Sequence, residues 1–394
     1  MGRRLKALVT GPEGPDWTPH KQAKWRRRNN ETGASTKPNG TGLYNRQSTE
    51  SGAAEPSPVH PEVTDTMKQH NCFGGWLIIA AVGLCLVVPL GSAQDAKERA
   101  VLRGHTKQTM SLAFSTDGKM LVSGSWDTTV RLWEATSGKE LATLRGDAGK
   151  VWSVAITDDS KLLASGHDRG IIKVWEQATG KEQSTLKGFP LPIRRLAFSS
   201  DRKALVSGDD DGTIQLWTVA TGKELATLKG PNEKVRAIQF IPGDKLFASA
   251  GSEGTIKLWE MPSGKERATL RLKAKEANLE VALAISADSK TLAAGGDDGT
   301  IRMWEIASGK ELASIAGHDG CLALAFADGG KTLASASRGP DGTVKLWDVA
   351  TGKQQSTFKL GRVEFPLAFS PGRKTLASGT IPGPITLWEV AVSP

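Results

Sequence analysis

The sequence predicts an all-β fold, a seven-bladed β-propeller of four-stranded antiparallel blades whose ring is closed by an N-terminal strand that completes the last blade. Three observations predict it. A tryptophan recurs at intervals of 41 to 45 residues, each interval has room for four short strands, and the last interval stops one strand early. A fixed period of this length is typical of arrays built from one repeated unit. The recurring tryptophans are Trp133, Trp175, Trp217, Trp259, Trp304, Trp347 and Trp388.

Within each interval, strand-like runs alternate with turns. The tryptophan ends a run such as TVRLW at 129–133, and LASG or a variant of it lies before that run. The turns are of two kinds, such as TDGK at 116–119 and VATGK at 219–223. Short runs between Gly, Asp and Pro turns favour antiparallel strands joined by tight hairpins. Four such strands in about 42 residues match one propeller blade.

The seventh interval lacks its fourth strand, because the sequence stops at LWEVAVSP. KERAVL at 97–102 has the sequence of a fourth strand, like KELATL at 139–144, but no unit precedes it. We therefore expect 97–102 to pair with the C-terminal blade. This pairing would remove an open sheet edge, which is otherwise a template for aggregation.

The segment GH…SLAFSTDGKMLVSGSWDTTVRLWE at 104–134 resembles a WD repeat, and the resemblance extends over 97–394. By this resemblance the chain is identified as a WD-repeat propeller, and the segment at 67–93, described below, makes it one of the bacterial, exported type. In that family a buried hydrogen-bond chain links a histidine after glycine, a turn aspartate, a strand serine or threonine, and the tryptophan indole. The resemblance implies this chain in the first and sixth blades, formed by His105, Ser123, Asp127 and Trp133, and by His318, Ser335, Asp341 and Trp347.

The other five blades depart from that pattern. Asp147 and Phe189 stand in place of the histidine, and Arg169, Glu253 and Pro382 stand in place of the aspartate. We expect these blades to depend more on apolar packing and tryptophan burial than on a polar chain.

Residues 1–66 differ from the repeats in composition. They combine ten Lys and Arg residues with seven Asp and Glu residues and have few apolar clusters, which predicts a disordered basic tail. One short arginine cluster, KWRRRNN, is typical of solvated charge, so no nucleic-acid partner is expected. The net charge of +9 over 394 residues is also too small to indicate a polyanionic partner.

Residues 67–93 have the features of a secretory signal peptide. Lys68 precedes an apolar run at 76–90, and Gly-Ser-Ala ends the segment. Because such a signal begins a chain, two interpretations stay open. Translation starts at Met67 and 1–66 are not part of the protein, or 67–93 is an uncleaved anchor that meets the membrane only through 76–90. Either one places the propeller at 94–394 outside the cytoplasm, in the periplasm or secreted.

The repeats offer little for catalysis. Of their three histidines, His105 and His318 belong to the implied hydrogen-bond chains, which leaves His167 as the spare one. No HExxH, GxSxG or P-loop motif occurs, and no cysteine–histidine cluster has the spacing of metal ligands. DDDG at 209–212 and DDG at 297–299 are more typical of hairpin turns than of a calcium site. We expect no enzyme activity, no metal and no cofactor.

The first strand of several blades has one residue too many in its apolar pattern, as in Val151, Val154 and Ile156. Such a gap indicates a β-bulge, whose extra residue would project at the top rim, where WD-repeat proteins commonly bind partners. These residues are Met110, Trp152, Arg194, Arg236, Val281, Leu322 and Phe365. A second rim position, just before the turn aspartate, holds Trp126, Asp168, Asp210, Ser252, Asp297, Pro340 and Ile381.

Trp126 and Trp152 are the tryptophans of 94–394 outside the repeated position, and two interpretations of them stay open. In one, they only pack on each other across a blade boundary. In the other, they form an apolar patch with Met110 and Phe365, flanked by Arg194 and Arg236. Aromatic and arginine anchors within a polar rim are typical of protein interfaces.

The sequence therefore predicts a monomeric, non-catalytic scaffold that binds other proteins through its top rim. The alternative is a ligand-binding or hydrolytic propeller that acts at the mouth of the central channel.

Overall fold

A computed structural model describes residues 94–390, except for 232, 273–279, 297, 319, 338, 373 and 381–382. The side chains of 94–95, 322, 328, 339–341 and 361–365 also lie outside the description. The described residues belong to one compact unit, Leu84–Pro394. The predictions for 1–66 and 67–93 fall on residues that the structure does not describe.

Blades one to five are separate four-stranded antiparallel sheets, in which consecutive strands are neighbours. Blade one consists of β3 (Thr109–Phe114), β4 (Met120–Ser125), β5 (Thr129–Glu134) and β6 (Glu140–Arg145), and blade two of β7 (Val151–Ile156), β8 (Leu162–His167), β9 (Ile171–Glu176) and β10 (Glu182–Lys187). Blade three consists of β11 (Ile193–Phe198), β12 (Ala204–Asp209), β13 (Thr213–Thr218) and β14 (Glu224–Lys229), and blade four of β15 (Val235–Phe240), β16 (Leu246–Gly251), β17 (Thr255–Glu260) and β18 (Glu266–Arg271). Blade five consists of β19 (Val281–Ile285), β20 (Thr291–Gly296), β21 (Thr300–Glu305) and β22 (Glu311–Ala316).

Blades six and seven are joined through one long strand, β26, which is the outer strand of blade six and the inner strand of blade seven. The strands of these two blades are β23 (Cys321–Ala327), β24 (Thr332–Ser337), β25 (Gly339–Asp348), β26 (Gln354–Phe369), β27 (Thr375–Gly379) and β28 (Ile385–Glu389).

The N-terminal strand closes the ring, as predicted. Strand β2 (Lys97–Leu102) pairs antiparallel with β28, with Lys97 opposite Glu389 and Leu102 opposite Ile385. A two-residue strand ahead of it, β1 (Gln94–Asp95), pairs in parallel with β26. The sequence did not indicate this second attachment, which also ties the N-terminus to blade six.

The core of the propeller lies between the blades. Each of seven buried apolar clusters among the described residues joins two neighbouring blades. The cluster between blades seven and one contains Leu102 from β2 together with Leu121 and Trp133 from blade one. The strand that closes blade seven therefore also supplies core to the next interface.

The helical elements of the described chain are two single 3₁₀ turns, Asp168–Gly170 and Asp328–Gly330. The six Gly-Lys turns of the repeats need a left-handed residue, and glycine provides it at each, for example Gly222 with a φ of 67°. None of the helices in the part of the chain that the structure describes has the length and apolarity to cross a membrane.

Candidate binding rim and channel mouth

β-bulges place side chains at the upper end of the ring, which we define as the end where the innermost strands begin. The pairing of the first and second strands shifts by one residue at Met110, Trp152, Arg194, Arg236 and Leu322, and a longer shift between Glu364 and Leu367 includes Phe365. The bulges predicted from the apolar pattern are therefore confirmed in these six blades.

Blade five is the exception, and the prediction for Val281 is wrong. Strand β19 pairs with β20 without a shift, so that Val281 lies opposite Gly296 and Ala282 opposite Gly295. Without the extra residue, the Val281 side chain turns into the core between blades four and five, where it is buried. The half-buried residue at the upper end of this blade is Glu280.

The two extra tryptophans pack edge to face across the boundary between blades one and two. The ring centroids of Trp126 and Trp152 are 5.1 Å apart, with an angle of 70° between the ring planes. The Lys150 ammonium lies 4.7 Å from the Trp126 ring centroid. Trp152 donates its indole N–H to Asp168 Oδ1 at 2.6 Å. The packing of the two rings on each other across the blade boundary is thus observed.

Arg194 continues this row of side chains onto blade three. Its guanidinium carbon lies 3.8 Å from the Trp152 ring centroid, within the distance of a strong cation–π contact. The same guanidinium donates two hydrogen bonds to Asp210, at 2.6 and 2.8 Å. A bidentate pair of this kind fixes the side-chain orientation. We call Lys150, Trp126, Trp152, Arg194 and Asp210 the rim ladder.

A second cluster lies beside the ladder at the mouth of the central channel. Arg236 donates to Glu280 Oε1 at 2.7 Å, and Arg195 donates to Glu280 Oε2 at 3.2 Å. Arg195 also donates to the backbone carbonyls of Arg194 and Arg236. Burial, and the positive charges of Arg236 and Arg194, lower the pKa of Arg195 against the opposing effect of Glu280.

Sequence reasoning missed Arg195 and Glu280. The available signal was the position of Arg195 in the repeat, because the equivalent residue is small in the other five of the first six blades. That position lies opposite the penultimate residue of the second strand and holds Ser111, Ser153, Arg195, Ala237, Ala282 and Ala323 in blades one to six.

The predicted apolar patch is not assembled as a whole in the described residues. Met110 is half-buried and lines the upper part of the channel, as do Ser111 and Arg236. The side chain of Phe365 lies outside the described part, as do the rim residues Asp297 and Ile381. Among the predicted rim residues, the structure shows the contacts of Trp126, Trp152, Arg194 and Arg236.

The polar chain implied for blade one connects all four of its residues. His105 Nδ1 lies 2.9 Å from Asp127 Oδ2, and His105 Nε2 lies 2.7 Å from Ser123 Oγ, which accepts the Trp133 indole N–H at 2.8 Å. Burial alone would raise the pKa of Asp127, but hydrogen bonds from His105, Thr129 and the Thr106 amide hold that pKa below its usual range.

The corresponding contacts in blade six join three residues. His318 Nε2 lies 2.5 Å from Ser335 Oγ, which accepts the Trp347 indole N–H at 2.7 Å. Burial lowers the pKa of His318 to about 3, and Lys345 adds to the effect. The side chain of Asp341, the fourth predicted member, lies outside the described residues.

His167 is not spare. It is 1% exposed, and its Nε2 lies 2.8 Å from Ser165 Oγ, which in turn accepts the Trp175 indole N–H at 2.9 Å. Blade two therefore forms the histidine–serine–tryptophan chain with a histidine from the end of its second strand. Burial lowers the pKa of His167 to about 4. The last link of this chain, the hydrogen bond from the tryptophan indole N–H to a serine, also occurs in blades three, four and seven. The accepting serines there are Ser207, Ser249 and Ser378.

Blade three carries a buried carboxyl in the position that His167 occupies in blade two. Asp209 is 2% exposed and accepts hydrogen bonds from the backbone N–H groups of Asp211 and Thr213. These bonds form the hairpin turn predicted for 209–212. Burial raises the pKa of Asp209 to about 6; the two backbone bonds oppose this, while Asp211 and Asp210 add to it.

We expect Asp209→Asn to stabilise the protein at pH 8 by about 3 kcal/mol and to have little effect near pH 4. Because the folded-state pKa of about 6 exceeds the ordinary value of 3.8, the folded state holds this proton more tightly. Its stabilising contribution is complete below pH 3.8 and is lost as the pH rises through 6. Thermal melts of both proteins from pH 4 to pH 8 measure the difference. A difference that does not change with pH would contradict this account.

The described residues contain no group of three or more His, Cys, Asp or Glu side chains placed to hold a metal ion. Cys321 is buried and packs in the core between blades five and six.

Comparison with known proteins identifies the repeat. The model of the WD domain, G-beta repeat, matches six segments of the chain, at 96–134, 138–176, 180–218, 222–260, 268–305 and 309–348. Each segment contains the outer strand of one blade and the first three strands of the next, so the first segment begins with the closing strand β2. A search among curated proteins found no match. The repeat pattern and the seven blades show that the chain belongs to the WD-repeat family of β-propeller proteins.

Proposed function

We propose that this protein is a non-catalytic scaffold, exported from the cytoplasm, that binds another protein with the upper rim of its propeller. WD-repeat propellers generally mediate protein–protein interactions. The surface that we assign to binding consists of the predicted rim residues Met110, Trp126, Trp152, Arg194, Arg236 and Phe365.

The observation that carries this proposal is the rim ladder. Tryptophan and arginine are the residue types that dominate the binding energy of protein interfaces. Here they come from blades one, two and three, and stacking and the Asp210 and Asp168 bonds hold them in place. Side chains fixed before binding lose less conformational entropy when a partner docks. The repeat itself does not require them, since the equivalent positions elsewhere hold unrelated residues.

Affinity capture with matched variants tests the proposal. Tagged residues 94–394, the Trp126→Ala/Trp152→Ala variant and a Leu225→Ala control are incubated with a cell-envelope extract. Leu225 is 50% exposed on the outer strand of blade three, away from the rim. We expect a protein that wild type and Leu225→Ala retain equally and the double variant loses. If all three capture the same proteins in equal amounts, rim binding is wrong.

Export rests on the signal-like segment 67–93. We expect the mature protein to begin near Gln94, and to be found outside the cytoplasm, because Gly-Ser-Ala at 91–93 has the small residues that signal cleavage requires. N-terminal sequencing of the protein from fractionated cells measures both features. Recovery of Met1 in the cytosolic fraction would contradict the proposal.

A further inference from the structure

The channel mouth holds a half-buried arginine where most other blades have a small residue. In blades one, two, four, five and six, the residue equivalent to Arg195 on the first strand is a serine or an alanine. Blade three instead places Arg195 there, and its guanidinium reaches past blade four to Glu280 of blade five. Burying a guanidinium is costly even when it is paired, and apolar replacements of such pairs are often neutral or stabilising. A costly group that the repeat can omit points to a function.

Glu280 shows what this position binds. Its two carboxylate oxygens bridge guanidinium groups from two different blades, Arg195 on blade three and Arg236 on blade four. The neighbouring Arg194 is already held by Asp210. The Nε–H of Arg236 is buried without a hydrogen-bond partner among the described residues. Two arginines arranged around one carboxylate form a preorganised carboxylate site.

The cluster faces the space at the upper end of the channel. A cavity of about 260 Å³ there is lined by Met110, Ser111, Arg195, Arg236 and Glu280, among others. It continues down the channel into a space of about 660 Å³, and Leu112, Val154 and Phe369 line both. The upper cavity has room for an amino-acid side chain, and Met110 gives it an apolar lining.

We infer that the channel mouth accepts an acidic side chain from the partner protein, whose carboxylate binds between Arg195 and Arg236 in competition with Glu280 while an adjacent apolar side chain packs on Met110 and Trp152. This inference names the chemistry of the partner and rests on the proposed function. Glu280 acts as an internal substitute that keeps the two guanidinium groups paired until the partner arrives.

NMR titration with two short peptides tests the inference. The probes are acetyl-Leu-Glu-Leu-amide and the uncharged acetyl-Leu-Gln-Leu-amide, and the signals are the Arg Nε–H groups and the Trp152 indole N–H of the folded 94–394 protein. We expect saturable shifts with the glutamate peptide only. We expect Arg195→Ser to weaken binding at least tenfold and Glu280→Gln to strengthen it at least fivefold, because the competing carboxylate is gone.

Matched variants separate this site from the fold and from other charges. Arg195→Ser introduces the residue that blades one and two already carry, so its melting temperature should equal or exceed that of wild type. Arg202→Ser removes an arginine that pairs with Asp159 at the other end of the ring, and it should leave peptide binding unchanged. Sodium acetate at the same carboxylate concentration should bind more weakly than the peptide.

Each of the following results would overturn the inference: equal binding of the two peptides, equal binding of acetate, unchanged affinity in Arg195→Ser, or absence of shifts in both wild type and Glu280→Gln. A large fall in the melting temperature of Arg195→Ser would show that the fold needs this arginine, and would overturn it too. If the Trp126→Ala/Trp152→Ala variant captures the same proteins as wild type, rim binding itself is refuted. The failure of this inference and the failure of the proposed function are therefore distinguishable.

Discussion

Deletion of residues 94–103 should abolish cooperative unfolding of the propeller. The deletion removes β1 and β2, exposes the edge of β28, and takes Leu102 out of the core between blades seven and one. Leu102 is 1% exposed and packs with Leu121 and Trp133. Repeat arrays need sealed ends, and an open strand edge promotes aggregation. Calorimetry and size-exclusion chromatography of the truncated protein measure the effect.

The control for this deletion is the pair of substitutions Lys97→Ala and Glu98→Ala. Both side chains are exposed, while their backbone groups belong to the β2–β28 pairing. The doubly substituted protein should therefore melt like wild type. A truncated protein with the same cooperative transition as wild type would show that β2 does not close the ring.

Trp217→Ala should lower the free energy of unfolding by about 3–5 kcal/mol, the usual range for removal of a large buried aromatic side chain. Trp217 is 3% exposed and packs between blades two and three, against residues such as Ile172 and Leu186. Its indole N–H also donates to Ser207 Oγ at 2.9 Å. The substitution would leave a cavity and remove the indole N–H that Ser207 Oγ accepts, while that hydroxyl keeps its bond to the Gln215 carbonyl. Denaturant titrations at fixed pH give the value.

Trp217→Phe separates packing from the hydrogen bond. It retains most of the ring and loses the bond to Ser207, so its cost should lie near 1–2 kcal/mol. A cost for Trp217→Ala below about 1 kcal/mol would mean that the repeated tryptophans do not hold the blades together.

The propeller could be predicted from the sequence because each of its determinants is local and repeated. The seven tryptophans set the period, the Gly-Lys turns set the hairpins, and KERAVL supplied the missing strand by its likeness to the other outer strands. The bulges followed from a gap in the apolar pattern of several first strands, such as Val151, Val154 and Ile156. The prediction for Val281 is wrong because Val281, Leu283 and Ile285 alternate without such a gap, so this strand has no extra residue.

The channel mouth and the role of His167 could not be predicted in the same way. Arg195 and Glu280 are 85 residues apart, and they meet because a long side chain reaches past an intervening blade. His167 lies at the end of a strand, two residues after the serine that it contacts, and not in the loop where the family pattern places a histidine. Such contacts depend on side-chain reach and strand-end geometry, which the repeat pattern does not encode.

The central claim is that the rim ladder binds a protein partner. The most direct test compares the dissociation constants of the captured partner for wild type and for the Trp152→Ala variant. Loss of the stacked contacts with Trp126 and Arg194 should cost only about 1–2 kcal/mol of stability, well below the cost of Trp217→Ala. The dissociation constant should nevertheless rise about thirtyfold or more, as expected for a hot spot of 2 kcal/mol. A Trp152→Ala protein that binds the partner as tightly as wild type would show that the two tryptophans only pack on each other.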